Sequence, residues 1–448
     1  MRAFPMSRRA FFRRAGAASA ALAVPAIVGA RPAIASAGKP TIPTILNNGT
    51  YPIGVFFPPT LAETTDARYK QIADCGITFV EAGTGGDDVY NIGPNKVLLP
   101  ICERQGVMAV VNDQRENFFG VAQDQWQPLM QQLLDDYLPY HAFVGFHGGD
   151  ELPESHYAGI GGANALLRDL APTKLNQVNL VGNPFGGPTY PQYLQTYVQE
   201  TSPAFLSFDR YMLLDPTQNT AAEQAVVEAQ YLTNWAYVRT AALAAGNLPT
   251  WMYAQSVAHT AGNLHYRAPS VADLLWQFNT SLAYGCTGVQ YFTYWTPPPY
   301  GAAMIDKSGN PTPTYYYAQQ VNTQYLQPVG RQMLGLVSES VAHFGESSLP
   351  AGVVAFTGND WVSSAGGDPA IISIFSRPGH RTERMLFVAN RSYAKAAVTD
   401  LALTPSVLAV ERFDVSRRRY VPVRAPGGNV TVASDAGAAA LYRLRVEP

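Results

Sequence analysis

From residue 51 onward, short apolar runs alternate with helix-like stretches, and the alternation repeats eight times. The runs cover residues 51–57, 77–83, 107–113, 142–149, 177–183, 204–211, 249–255 and 287–295. Helical patterns fill 66–76, 94–106, 124–138, 162–172, 190–200, 222–247, 270–285 and 315–340. Several of these close on Gly or Asn just before the next run, as a helix C-cap does. Pro328 is expected to break or kink the last one. Eight strand–helix units over roughly 290 residues match the count and length of a (β/α)8 TIM barrel, an α/β fold whose parallel sheet closes on itself. An open doubly wound sheet is the competing arrangement. Against it, no Gly-rich phosphate loop follows the first run, where a dinucleotide fold places one.

Near residue 345 the helical patterns stop. Short alternating segments take over at 352–358, 370–377, 385–392, 407–415, 419–425, 429–434 and 438–446, with turn residues such as Gly358-Asn359-Asp360 and Pro426-Gly427-Gly428 between them. This predicts a small all-β sandwich of about seven antiparallel strands. The expected plan is a leader over 1–37, a barrel over 38–345 and a sandwich over 346–448.

In the leader, Ser7-Arg8-Arg9-Ala10-Phe11-Phe12-Arg13 resembles a twin-arginine export signal. An Ala-rich apolar stretch follows, and Ala35-Ser36-Ala37 fits a small-x-small cleavage site. The apolar stretch is too short and too poor in large side chains to span a bilayer. The signal implies a periplasmic or secreted protein with no membrane span once matured.

Hydrophobic residues make up 47% of the chain and charged residues 14%, which places it among globular proteins and excludes a disordered one. The first 37 residues hold six arginines and no acid, so the remainder carries 25 basic against 33 acidic side chains. That balance argues against a nucleic-acid partner. Cys75, Cys102 and Cys286 are too few and too scattered for a disulfide framework or a zinc signature, and read as small buried residues. No pair of His or acids has ligand spacing on one element, so neither a metal nor another cofactor is expected. Oligomeric state is not legible.

Barrel enzymes place their chemistry at the C-terminal ends of the strands. Reading those ends gives Phe56 with Phe57, Glu81, Asn112 with Asp113, Asp150 with Glu151, Asn183, Asp209 with Tyr211, Gln255 and Trp295, and Tyr294 beside it is a further aromatic that can stack on a sugar. Alternation assigns faces, because successive strand residues point to opposite sides. With Val144 and Phe146 outward, His147 and Glu151 face inward and Asp150 supports from behind. The Gly148-Gly149 pair permits a bulge that would swap those faces. On the sixth run Ser207, Asp209 and Tyr211 face inward, and on the seventh Tyr253 and Gln255 share a face.

The organisation resembles the large clan of (β/α)8 glycoside hydrolases. The stretch 281–298 followed by 303–322 is similar to the last strand and helix of β-galactosidase-like members, where an aromatic such as Trp295 floors the sugar site. The resemblance implies that Glu151 is the acid/base, with Asp150 where the clan has Asn. It also implies a nucleophilic Glu at the end of strand seven, but this chain has Gln255 there, which can serve neither as nucleophile nor as base. Asp209 is the first candidate for the second carboxylate and Glu81 the next. Asp150, Glu81, His147, Asn112, Asn183, Tyr211, Tyr253, Gln255, Tyr294 and Trp295 are expected to bind substrate. The expectation is an exported glycosidase acting on a carbohydrate. The alternatives are a non-catalytic carbohydrate-binding barrel and a non-glycosidic barrel enzyme such as a lyase. No Gly-x-Ser-x-Gly elbow supports an esterase.

Overall fold

The computed structural model describes residues 43–83, 92–116, 118–182 and 189–447; the leader and Asn183 lie outside them. Eight parallel strands close into a barrel: β1 (Ile53–Val55), β2 (Phe79–Ala82), β3 (Met108–Val111), β4 (Phe143–Asp150), β5 (Leu175–Val181), β6 (Leu206–Asp209), β7 (Thr250–Gln255) and β10 (Gly288–Phe292). The short β8 (His259–Ala261) and β9 (Leu264–Tyr266) form a hairpin after β7. Around the barrel run α1 (Asp66–Asp74), α2 (Ile92–Gln105), α3 (Trp126–Tyr137), α4 (Tyr157–Leu170), α5 (Tyr190–Thr201), α6 (Ala221–Ala244), α7 (Val271–Ala283), α8 (Pro313–Val321) and α9 (Gln327–Met333). Capping boxes start α6 (Thr220 with Glu223) and α7 (Ser270 with Asp273), each satisfying orphan backbone donors of the first turn.

Strands β1, β2, β6, β7 and β10 are buried throughout, as strands covered on both faces must be. Inward side chains fill the barrel floor. There the Phe79 and Trp251 rings meet at 5.3 Å, clustered with Ile45, Val110, Val144, Leu175 and Phe205. Two glycines make room for the rings: a Cβ on Gly54 would come within 2.2 Å of Phe79, and one on Gly288 within 2.4 Å of Trp251.

Pro328 does not end the last helix abruptly. The chain widens into a π-turn over Asn322–Leu326, and α9 follows it directly with Pro328 in its first turn. Gly335 takes φ +71° after α9, and a strand, β11 (Val337–Phe344), begins inside the stretch expected to stay helical to 340.

The rest of the β domain is β12 (Val362–Gly367), β13 (Ala370–Ser376), β14 (Glu383–Asn390), β15 (Ala397–Leu403), β16 (Val407–Asp414), β17 (Arg419–Pro422), β18 (Asn429–Ser434) and β19 (Ala439–Val446). They form a six-stranded sheet in the order β11-β13-β14-β19-β16-β17 and a three-stranded sheet β12-β15-β18. Segment 352–358 was expected to be a strand and makes only an isolated bridge, His343 to Ala355. β12 and β15 escaped the sequence pattern because they are half-exposed and rich in small or polar residues. Ile372, Ile374, Leu386, Val388 and Leu444 pack against Val362, Leu401, Val430 and Val432 of the small sheet. The alternate residues Ile371, Phe375, Met385, Phe387 and Leu441 face the other way and join the barrel core. The larger sheet is therefore buried on both faces, with α7 lying on β13 and β14. Trp276 Nε1 donates to Arg391 O (3.0 Å) and Asn279 Nδ2 to Gly437 O (2.9 Å), which seals the two domains into one compact unit.

The three cysteines are free and buried, and burial pushes their thiols up, Cys286 to about 12. Among the described residues no helix is long and apolar enough to cross a membrane, and no His, Cys, Asp and Glu group could hold a metal.

Candidate active site

The geometry of the mouth turns on a bulge in β4. This strand pairs with β5 as His147↔Gln177, then Gly149↔Val178 and Asp150↔Asn179, so Gly148 is skipped. A Cβ on Gly148 would come within 2.1 Å of Asn176 Oδ1. A skipped residue reverses the alternation of faces. A second irregularity lies one turn of the pleat earlier, where Phe143 and Gly145 pair with consecutive residues of β3. The expected faces change accordingly. Val144 sits in the barrel-floor cluster instead of facing the helices. Asp150, expected behind the strand, stands opposite Asn179 and accepts a hydrogen bond from its Nδ2 (3.0 Å).

Glu151 then leaves the strand. Its backbone is left-handed, with φ +51°, its N donates to Asn179 O (2.9 Å), and its side chain is half-buried. Phe57, just past β1, is left-handed too, at φ +52°. A non-glycine in that region costs on the order of 1–3 kcal/mol, and such strain concentrates at functional sites.

Below the mouth lies a buried polar network. Tyr253 Oη donates to Glu81 Oε1 (2.5 Å), Gln177 Nε2 donates to Tyr253 Oη (2.7 Å), and His147 Nδ1 lies 3.0 Å from Glu81 Oε2. The Phe56 ring covers it, 6.1 Å from the His147 ring and 5.7 Å from Tyr253. Burial raises the Glu81 carboxyl above its usual range, although His147 and Tyr253 pull it down. Burial also opposes a charge on His147, but Glu81 and Asp150 outweigh it and its pKa is raised.

Above this network, Asn179 gathers acids from two other strands. Its Nδ2 reaches Asp150 Oδ1 (3.0 Å) and Asp209 Oδ1 (3.4 Å), while its Oδ1 accepts from Ser207 Oγ (3.1 Å). The structure thus joins Glu81, His147 and Tyr253 in one network inside the barrel, and Asp150 and Asp209 in another on Asn179.

The other candidates fall elsewhere. Gln255 is locked to backbone: its Oε1 accepts from Leu213 N (2.9 Å), and its Nε2 donates to Leu213 O (3.0 Å) and Arg267 O (2.8 Å). Tyr294 is fully buried beside Cys75, Tyr315 and Arg68 in the helical layer. Asn112 ties β3 to β2 through Gly83 O (3.3 Å). Tyr211 stacks on Phe292 (5.2 Å) and meets His259 edge-on (5.5 Å), in an aromatic layer over the β6, β7 and β10 ends. Trp295 floors a cleft of about 220 Å³ with Phe57, and the Arg68 guanidinium lies 5.3 Å from its ring.

Sequence reasoning passed over Gln177 and Asn179. Their signal was present: two polar residues at alternate positions of a buried strand point into the barrel together.

No family model matches the chain, and no curated protein matches it in sequence. Among solved structures, a glycoside hydrolase family 5 protein from Bacteroides vulgatus ATCC 8482 aligns over 91% of this chain and 96% of its own, with a TM-score of 0.52 at 10% identity. Another glycoside hydrolase aligns over 89% and 93%, with a TM-score of 0.51 at 10% identity. A β-galactosidase from the psychrophilic Marinomonas ef1 aligns over 64% of this chain at 12% identity and a TM-score of 0.48, and this chain spans only 62% of that one. At such identities the likeness carries the fold. The chain has the (β/α)8 barrel and β domain found in glycoside hydrolases, as its sequence led us to expect.

Proposed function

We propose that this protein is an exported glycoside hydrolase that cleaves an O-glycosidic bond of an oligo- or polysaccharide with a carboxylate pair at the barrel mouth. Export rests on the twin-arginine pattern of the leader. The observation that carries the enzymatic reading is the convergence of β4 and β6 acids on Asn179: one amide nitrogen reaches Asp150 at 3.0 Å and Asp209 at 3.4 Å, with Glu151 held beside them on the same Asn179 backbone.

The reaction needs one protonated and one ionised carboxyl. Glu151 is the acid: half-buried, it donates its proton to the leaving oxygen as the C–O bond breaks. Asp209 is the ionised partner. It either bonds to the anomeric carbon or takes the proton from the water that does. Asn179 orients Asp209 and Asp150 through its Nδ2, at 3.4 and 3.0 Å. Gln255 departs from the clan pattern because its amide is committed to holding the β6 and hairpin loops.

Incubation with a panel of aryl glycosides and polysaccharides, read by chromophore or reducing-sugar release, tests this. Wild-type turnover on at least one substrate is expected, lost by about 100-fold or more in Glu151→Gln and in Asp209→Asn. Unchanged rates in both variants would sink the assignment. One observation favours the non-catalytic reading: the aromatic layer of Phe56, Phe292, Tyr211 and His259 covers the side of the mouth where a strand-seven carboxylate would act. Glycan binding without turnover across the panel would decide for it.

A further inference from the structure

The two domains carry opposite charge. Residues 38–345 hold 13 basic against 24 acidic side chains, whereas residues 346–448 hold 12 against 9. The bases differ in kind as well. Residues 38–345 have eight arginines and five lysines, and residues 346–448 have eleven arginines and one lysine. A uniform preference of the chain for arginine does not account for that contrast, so the guanidinium itself is favoured in the β domain. Its planar fork matches a carboxylate or phosphate with two parallel hydrogen bonds, which an ammonium cannot do.

The arginines concentrate on one hairpin. Residues 412–424 hold five of them, Arg412, Arg417, Arg418, Arg419 and Arg424, against one acid, Asp414. β16 and β17 form this hairpin, and β17 ends the six-stranded sheet. The hairpin is anchored: the Phe413 and Tyr420 rings meet at 5.2 Å, and Arg443, paired with Glu411 (2.7 Å), lies 4.4 Å from the Tyr420 ring. Asp414 is committed inside the turn, where it accepts from Ser416 Oγ (2.7 Å), Arg417 N (2.9 Å) and Arg417 Nη1 (2.6 Å). Arg412, Arg418, Arg419 and Arg424 are exposed, and among the described residues none has a carboxylate in ion-pair reach. Register puts two of them together. Asp414 lies opposite Arg419 and Arg412 opposite Val421, so Arg412 and Arg419 share a face as diagonal neighbours, about 7–8 Å apart. Charge at a sheet edge also blocks edge-to-edge pairing, but lysine serves that purpose as well as arginine.

We propose that the β16–β17 hairpin binds the carboxylates of an acidic polysaccharide, a polyuronate, and moors the protein on it by the β domain, while the acidic barrel is repelled from the same polymer. That the anion belongs to a polysaccharide rests on the carbohydrate reading above. Two observations set other polyanions aside. The hairpin's rings, Phe413 and Tyr420, pack on each other and against Arg443, not as a platform on which nucleic-acid bases stack. The turn, residues 415–419, carries no large apolar side chain to enter a bilayer.

The test is affinity electrophoresis of the full chain at low ionic strength in gels containing polygalacturonate or neutral galactan, beside flotation with phosphatidylglycerol vesicles and gel shift with single-stranded DNA. Polygalacturonate should retard wild type. Arg412→Ala combined with Arg419→Ala should weaken that retardation roughly tenfold, and Arg412→Lys combined with Arg419→Lys, which keeps the charge and loses the fork, roughly threefold. Any retardation by galactan should be the same in all three proteins. Both arginines are exposed, so the variants should fold, and circular dichroism checks it. No retardation by polygalacturonate, or a double-alanine variant retarded as strongly as wild type, would overturn the proposal. A double-lysine variant indistinguishable from wild type would overturn it too and leave edge protection as the reason for the charge. Tighter binding to vesicles or DNA than to polygalacturonate would overturn the choice of polymer. Turnover is a separate readout: arginine-dependent retardation in a protein that hydrolyses no glycan would keep the mooring and remove the hydrolase.

Discussion

Among the described residues, two buried imidazole–carboxylate pairs respond to protons in opposite ways. In the barrel, His147 Nδ1 lies 3.0 Å from Glu81, and both groups are raised. At the seam between barrel and β domain, His343 Nδ1 meets Glu346 at 2.5 Å, its Nε2 lies 2.9 Å from Tyr284 Oη, and both groups are lowered. The two glutamates differ in burial, Glu81 having no exposed side chain and Glu346 13%, and a third charge widens the difference. Asp150 faces the barrel pair and adds negative potential, which favours a proton there. Arg391 faces the seam pair, with Nε 3.0 Å from Glu346 and Nη1 2.6 Å from Glu228, and its positive charge disfavours one. The same two residue types form a proton-holding pair under the candidate active site and a proton-repelling clamp between domains.

The comparison breaks most visibly if Arg391 is removed. Arg391→Met leaves Glu346 and Glu228 without their cation, and should cost about 3–5 kcal/mol in urea denaturation, because an unpaired buried charge is expensive. A loss under about 1 kcal/mol would show that the seam does not depend on this charge.

Next in size is the cost of disturbing Gln255. Its amide accepts one backbone N–H and donates to two carbonyls, and a carboxylate cannot donate. Gln255→Glu should therefore lose about 1–3 kcal/mol and gain no hydrolytic activity, even though it restores the clan's acid at strand seven. Increased turnover would mean that the position still serves catalysis.

The smallest effects are in the pH dependence. A histidine whose folded pKa is lowered stabilises above its unfolded pKa, about 6.5, and loses that contribution as pH falls. The lowered Glu346 adds to the loss at more acid pH, once its unfolded range is passed. His343→Gln should flatten the acid side of the curve of Tm against pH. His147 is raised, so its contribution is full below about 6.5 and is lost as pH rises through the folded pKa. The raised Glu81 carboxyl likewise disfavours higher pH. His147→Gln should flatten the neutral-to-alkaline side instead. Identical profiles for the two variants would erase the distinction.

Much of this was legible in the sequence for a physical reason. A barrel strand is short, apolar and followed by a helix, and that period survives in composition alone, as do the strand ends bearing Glu81, Asp209 and Tyr253. What misled was local. Alternation assumes one residue per pleat, and Gly148 breaks it, exchanging Asp150 for Glu151 on the inner face. Tyr294 reads as a mouth aromatic by position, yet it turns into the helical layer. Gln255 reads as a lost nucleophile, whereas its hydrogen bonds to two loops depend on contacts 42 and 12 residues away in the chain, which no local pattern encodes.

The most direct measurement sets binding against turnover on one glycan, by calorimetry and reducing-sugar release, for wild type and Glu151→Gln. A carboxylate-driven hydrolase predicts binding within about threefold of wild type and turnover reduced by about 100-fold or more. Equal turnover in the two proteins, or wild-type binding with no turnover at all, would contradict it.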